Sequence, residues 1–98
     1  MIRIIYEWQV EPDNIASFRE IWQSTTTTIH RSVEGARGSF LLQKQGEPGR
    51  ILTIARWDSL EHWQAFWQSK NPQAMQGLRA LGTLISFTPF DEFADYTV

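Results

Sequence analysis

Between Arg50 and Lys70 the chain reads RILTIARWDSLEHWQAFWQSK, and this stretch leaves little choice of local structure. Ile51-Leu52-Thr53-Ile54-Ala55 is rich in β-branched residues and predicts a strand. Leu60, Trp63, Phe66 and Trp67 then recur at three- and four-residue spacing, the period of one helix face. Trp57-Asp58-Ser59 falls between the two patterns and predicts a turn, with Asp58 or Ser59 placed to accept the free N–H groups of the first helical turn. Glu61 sits where the positive end of the helix dipole favours a carboxylate. Three of the five tryptophans lie between Trp57 and Trp67. Strand, turn and helix thus supply one wall of a core and a candidate wall of a pocket.

The rest of the chain supplies the other walls. In Ile2 to Val10, Ile2, Ile4, Tyr6, Trp8 and Val10 share one apolar face of a strand, while Arg3, Ile5, Glu7 and Gln9 share a mixed one. The apolar face is expected to meet helices, the mixed face a second sheet or solvent. Pro12 suits the start of a helix. Ile15, Phe18, Ile21, Trp22, Ile29 and Val33 mark its stripe, predicting a helix over about residues 12–33 with a bend or irregular turn at the β-branched run Thr25 to Thr28. Gly35 is the expected left-handed stop. Ser39 to Gln45 reads as a strand and Gly46-Glu47-Pro48-Gly49 as a hairpin-length turn. Asn71-Pro72 reads as a capped start of a further helix with Met75, Leu78 and Leu81 on its apolar face and Gly82 at its end. Leu84 to Val98 reads as a strand interrupted at Pro89, which belongs at an edge, a bulge or a bend.

The order β-α-β-β-α-α-β predicts an α+β fold, the ferredoxin-like split βαβ subunit: an antiparallel sheet with helices on one face. Ninety-eight residues is one domain, residues 1–98. A chain this short buries roughly 60–68% of its unfolded surface, and the sheet's second face is left open. Two such faces packed together give the expected homodimer.

Composition removes several function classes. With no cysteine, disulfides, thiolate catalysis and zinc–sulfur sites are excluded. A net charge of −2 and a pI near 5.6 argue against nucleic acid as a partner. No apolar run approaches the ~20 residues of a membrane span, and no signal segment opens the chain, so a cytoplasmic location is expected. No Gly-rich phosphate loop follows a strand, and neither His-x-x-x-His nor a paired-carboxylate spacing marks a metal site.

That element order at this length, with Pro12 and Phe18 in the first helix, Glu34-Gly35 where the family often has Pro-Gly, and Trp57-Asp58-Ser59 before the second helix, resembles the antibiotic biosynthesis monooxygenase family. The resemblance covers essentially the whole chain and implies a dimeric α/β barrel. It also implies a small monooxygenase that works without metal or cofactor on an aromatic, quinol-like molecule. In the quinone-forming branch the substrate is surrounded by an Asn four residues before the turn Trp, that Trp, and a Tyr six residues after it. Here those positions hold Thr53, Trp57 and Trp63. In the haem-degrading branch, a first-strand Asn maps to Tyr6, a second-helix Trp falls on or next to Trp67, and the haem-ligating His maps near Gln76, which provides no such ligand.

The resulting expectations name Trp57, Tyr6 and His62 as catalytic residues. Trp57, Trp63, Trp67, Thr53 and Tyr6 are expected around the substrate, with no metal ligand. Flat indoles stack on flat ligands, and the same indoles equally fill a core. His62 and His30 are the two histidines, each able to take a proton near neutral pH and each equally a surface residue. The Tyr6 hydroxyl is expected buried, partnered by a ligand or by a backbone carbonyl. Asp91, Glu92 and Asp95 read as a solvated face or as pairs to a second subunit. A non-catalytic ligand-binding protein and a purely structural dimer remain the alternative readings.

Overall fold

Ile2 to Val10 forms the inner strand on which the sheet is built. The computed structural model describes residues 1–69 and 71–97. Its elements are β1 (Ile2–Val10), α1 (Ile15–Ser32), β2 (Ala36–Gln43), β3 (Arg50–Trp57), α2 (Leu60–Ser69), α3 (Asn71–Ala74), α4 (Gln76–Leu81) and β4 (Gly82–Asp91). The sheet is antiparallel in the order β2-β3-β1-β4, so β1 is flanked by β3 and β4. This is the expected α+β ferredoxin-like arrangement with the helices on one face.

The period-two pattern of β1 has its expected effect. Ile2, Ile4, Tyr6, Trp8 and Val10 are buried, joined in the core by Phe18 of α1, Ile51 and Trp57 of β3, Trp63 and Phe66 of α2, and Met75 and Leu78. Trp8 and Phe18 meet edge to face at 5.2 Å, fixing α1 over the middle of the sheet. On the other face Ile5, Leu52 and Ile54 are half-buried and Phe40, Leu42 and Phe90 are exposed. Ion pairs flank this apolar strip: Glu7 with Arg50 on one side, and Glu92 held between Arg3 and Arg56 on the other.

Several boundaries differ from the sequence expectation. Pro12 opens a 3-10 turn, Pro12–Asn14, and the α-helix starts only at Ile15. The irregular turn at Thr25 to Thr28 is absent. Hydroxyls absorb the β-branched run by bonding back along the helix, Ser24 to the Ile21 carbonyl and Thr27 to that of Gln23. β2 begins at Ala36, three residues early, because a bulge with Gly38 at φ 96° carries the chain into register with β3. β3 runs on to Trp57, which pairs with both Ile2 and Ala36 and so ends the strand rather than forming the turn. The helix expected after residue 71 is split at Met75, whose side chain drops into the core between α3 and α4. The side-chain cap expected of Asn71 lies outside the described side chains. β4 continues through Pro89 on the edge of the sheet, where proline is tolerated, and ends at Asp91.

Candidate active site

The fold places a cavity between α1 and the helix-facing side of β1, β2 and β3. Its floor is Tyr6, Thr53, Ala55 and Trp57; Ala36, Gly38 and Ser39 form one side; Trp22, Thr25, Thr26, Ile29 and His30 of α1 cover it. Phe66, Met75 and Leu78 close the far end. It leaves about 50 Å³ for the centres of water-sized molecules, where one water needs roughly 10–15 Å³. That is room for on the order of three to five waters, the bulk of about one six-membered ring.

The polar groups of the cavity are organised by indoles. Trp63 Nε1–H donates to the Tyr6 hydroxyl at 3.0 Å, and Trp8 Nε1–H donates to Thr53 Oγ1 at 3.1 Å. Trp22 Nε1–H donates to Ser39 Oγ at 3.3 Å, and that hydroxyl bonds the Phe40 carbonyl at 3.2 Å. The Tyr6 hydroxyl therefore meets an indole and not the backbone carbonyl the sequence suggested. An indole holds it, because α2 lays Trp63 across the strand opposite Thr53. Tyr6 and Thr53 are direct cross-strand partners and are 5% and 3% exposed. Burial pushes the Tyr6 phenol above its ordinary pKa, with the Trp63 hydrogen bond acting weakly the other way. Trp57 is 2% exposed, and its N–H has no partner among the described residues.

Of the residues expected at the site, Tyr6, Thr53 and Trp57 line this cavity. Trp63 and Trp67 do not. They stack on each other at 5.5 Å beside it, Trp67 touching Tyr6 and Phe87 with Arg79 over its ring. Trp63 thus supports Tyr6 from behind. His62 is also outside the lining. Its Nδ1 lies 2.6 Å from Ser59 Oγ, and Ser59 in turn accepts the His62 backbone N–H, which caps α2 as the sequence suggested. Gly35 makes room for this histidine: a Cβ there would fall 2.5 Å from His62 Cγ. His30 is the histidine that reaches the cavity, on its exposed rim. Gln76 opens α4 and is exposed.

Trp22, Ser39, Phe66 and Met75 were not expected at the site. Trp22 and Phe66 were legible only as helix stripe. Ser39 reaches the cavity because of the β2 bulge, for which Gly38 was the available signal. Among the described residues no three His, Asp or Glu side chains gather as a metal site requires, and no helix is long and apolar enough to cross a membrane.

The family model of antibiotic biosynthesis monooxygenases matches residues 1–78. The chain belongs to that family. Solved structures agree on the fold of this antibiotic biosynthesis monooxygenase family member. SnoaB of Streptomyces nogalater, a cofactor-independent oxygenase, is 18% identical with a TM-score of 0.80, over 97% of this chain and 95% of that one. A candidate antibiotic biosynthesis monooxygenase of Deinococcus radiodurans is 16% identical with a TM-score of 0.78, over 100% and 98%. A third, from Chloroflexus aurantiacus, is 17% identical with a TM-score of 0.75, over 98% and 96%. No curated protein matches the sequence. At these identities the likeness carries the fold, and chemistry has to be argued from the cavity.

Proposed function

We propose that this family member is a cofactor-independent monooxygenase for a small, quinol-like aromatic molecule, acting as a homodimer of single-domain subunits. The observation that carries the reading is a ring-sized cavity with apolar walls whose floor presents the Trp57 indole beside the Tyr6 and Thr53 hydroxyls, each of which accepts an indole hydrogen bond. A phenol that loses its proton becomes electron-rich enough to reduce oxygen itself. One oxygen atom then forms a new C–O bond, the other leaves as water, and the ring is oxidised to a quinone. Phenol and O2 thus balance as quinone and water. The protein's part is to hold the ring, orient its oxygen and receive its proton.

His30 is the proposed proton acceptor, being the histidine at the cavity rim. His62, tied to Ser59 beneath α2, is given no part in the chemistry. Trp57 contacts the ring, and Trp63 and Trp67 hold Tyr6 in place. Oxygen uptake in the presence of single-ring phenols, with one atom of labelled O2 appearing in the quinone, tests the proposal. The expected result is uptake equimolar with quinone formed, falling at least tenfold in Trp57→Phe, which keeps the ring and deletes the N–H. Bound phenol with no oxygen consumed would instead make the protein a binder, a reading favoured by the lack of any carboxylate in the cavity wall.

A further inference from the structure

We propose that Trp22 sets the size of the ligand: its indole divides a longer groove beneath α1 and leaves a chamber for one ring only. The inference rests on the cavity of the proposed oxygenase and adds which ring systems it takes. Along α1, Thr25 and Ile29 cover the cavity, while Ile15 and Phe18 cover a second space on the other side of Trp22. The sheet beneath is continuous between the two. Ser39 pairs with Ala55 in the cavity wall, Leu41 with Thr53 at the boundary, and Gln43 with Ile51 beyond it. Leu41 and Ile51 are the floor of the second space, which leaves about 370 Å³ for the centres of water-sized molecules against about 50 Å³ in the cavity. Among the described residues, Trp22 alone lines both.

The Trp22 indole is held more loosely than its neighbours. Trp8 and Trp63 make buried hydrogen bonds of 3.1 and 3.0 Å, whereas Trp22 is half-buried and its bond to Ser39 is 3.3 Å. The Ser39 hydroxyl donates to the Phe40 carbonyl, which leaves its lone pairs for the indole. One neutral hydrogen bond of this kind contributes modestly, because water competes for both partners. A second ring lying along the strands would fall where the indole lies, so it must displace the indole or be refused. The outer space has apolar side chains where such a ring would rest, and Arg19 and Gln43 are exposed at its edge. Replacing Trp22 by a small residue therefore exchanges one aromatic ring of the protein for one of the ligand.

Calorimetric titration under nitrogen with phenol and with α-naphthol reads ring size apart from any oxygen chemistry. Wild type is expected to bind phenol at least about tenfold more tightly than α-naphthol. Trp22→Ala should invert that preference, and Ser39→Ala, which keeps the indole and removes its anchor, should narrow it severalfold. Leu41→Trp added to Trp22→Ala refills the outer space and should abolish the gain in α-naphthol binding. A general loss of stability would weaken both ligands together and leave their ratio unchanged. Thermal melts identify a variant that fails to fold, and Ser39→Ala carries the test if Trp22→Ala does. Equal binding of the two ligands by wild type overturns the inference. So does a ratio that neither Trp22→Ala nor Ser39→Ala alters, or the failure of both ligands to bind. Oxygen uptake that is absent while ring preference follows Trp22 would remove the oxygenase reading and leave this one standing.

Discussion

Gly35 shows how closely one residue can couple backbone and side chain. Its φ of 86° is in the left-handed region, and the space a Cβ would take is filled by the His62 ring. Gly35→Ala therefore meets strain and a clash together, each on the order of 1–3 kcal/mol. Denaturant unfolding should show a loss of about 2–4 kcal/mol. His62→Ala in the same background should restore the part due to the clash and leave the part due to φ, a split that a double-mutant cycle measures. Full additivity would mean that the ring and the glycine do not share the space. The tryptophans carry a similar lesson. Trp63 and Trp67, expected around a substrate from the density of rings and the family resemblance, stand beside the cavity. Sequence gives which face of a helix is apolar; it does not say which of two apolar neighbours will front a cavity and which will stand behind it. Trp57 does front it, because β3 runs two residues further than its β-branched core implied.

The elements were legible wherever a period was strong. β1 and the apolar stripes of α1 and α2 are where alternation and three-four spacing put them, and the hairpin turn joins β2 to β3. What was not legible were the local compensations. Side-chain bonding along α1 offsets the poor helix propensity of its threonines, and a bulge starts β2 early. α2 is a place where a short-range signal and the structure coincide: Ser59→Ala removes the acceptor for the His62 N–H and should cost about 1 kcal/mol in an unfolding titration. Beside that cap, Asp58 accepts two hydrogen bonds from Arg37 on the β2 bulge, at 2.6 and 3.3 Å. The guanidinium holds the Asp58 carboxyl below its ordinary pKa. A depressed carboxyl pKa gives stability that is complete above the unfolded value, about 3.9, and lost as pH falls through the folded value. NMR titration should show Asp58 moving back up toward that value in Arg37→Ala, with the stability at neutral pH little changed because the pair is exposed. A titration unaltered by the substitution would assign the depression to another cause.

At the scale of the molecule, the sheet has two different faces. One is covered by helices around Trp8 and Phe18. The other presents Phe40, Leu42, Leu52, Ile54, Ile5 and Phe90 as a strip between ion pairs. Past β4, Phe93 is 99% exposed and Tyr96 94% exposed, rings that nothing in their own chain covers. A contiguous apolar strip rimmed by charge is the surface expected of a protein–protein interface. In the proposed dimer a two-fold axis would set each strip against its copy, so that every contact counts twice. The ion pairs bear on this directly. Glu92 is mostly covered by Arg3 and Arg56, which hold its carboxyl below the ordinary range, so these charges enter an interface already neutralised in part. Phe40→Glu places a carboxylate on the strip, beside Arg3, while leaving the helix-side core untouched. Loss of one Phe burial is worth about 1.5–3 kcal/mol, so loss from both subunits predicts association weakened by roughly 100-fold or more. Sedimentation velocity at micromolar concentration should then show wild type as a dimer and Phe40→Glu as a folded monomer. A wild-type protein that sediments as a monomer would end the dimer proposal.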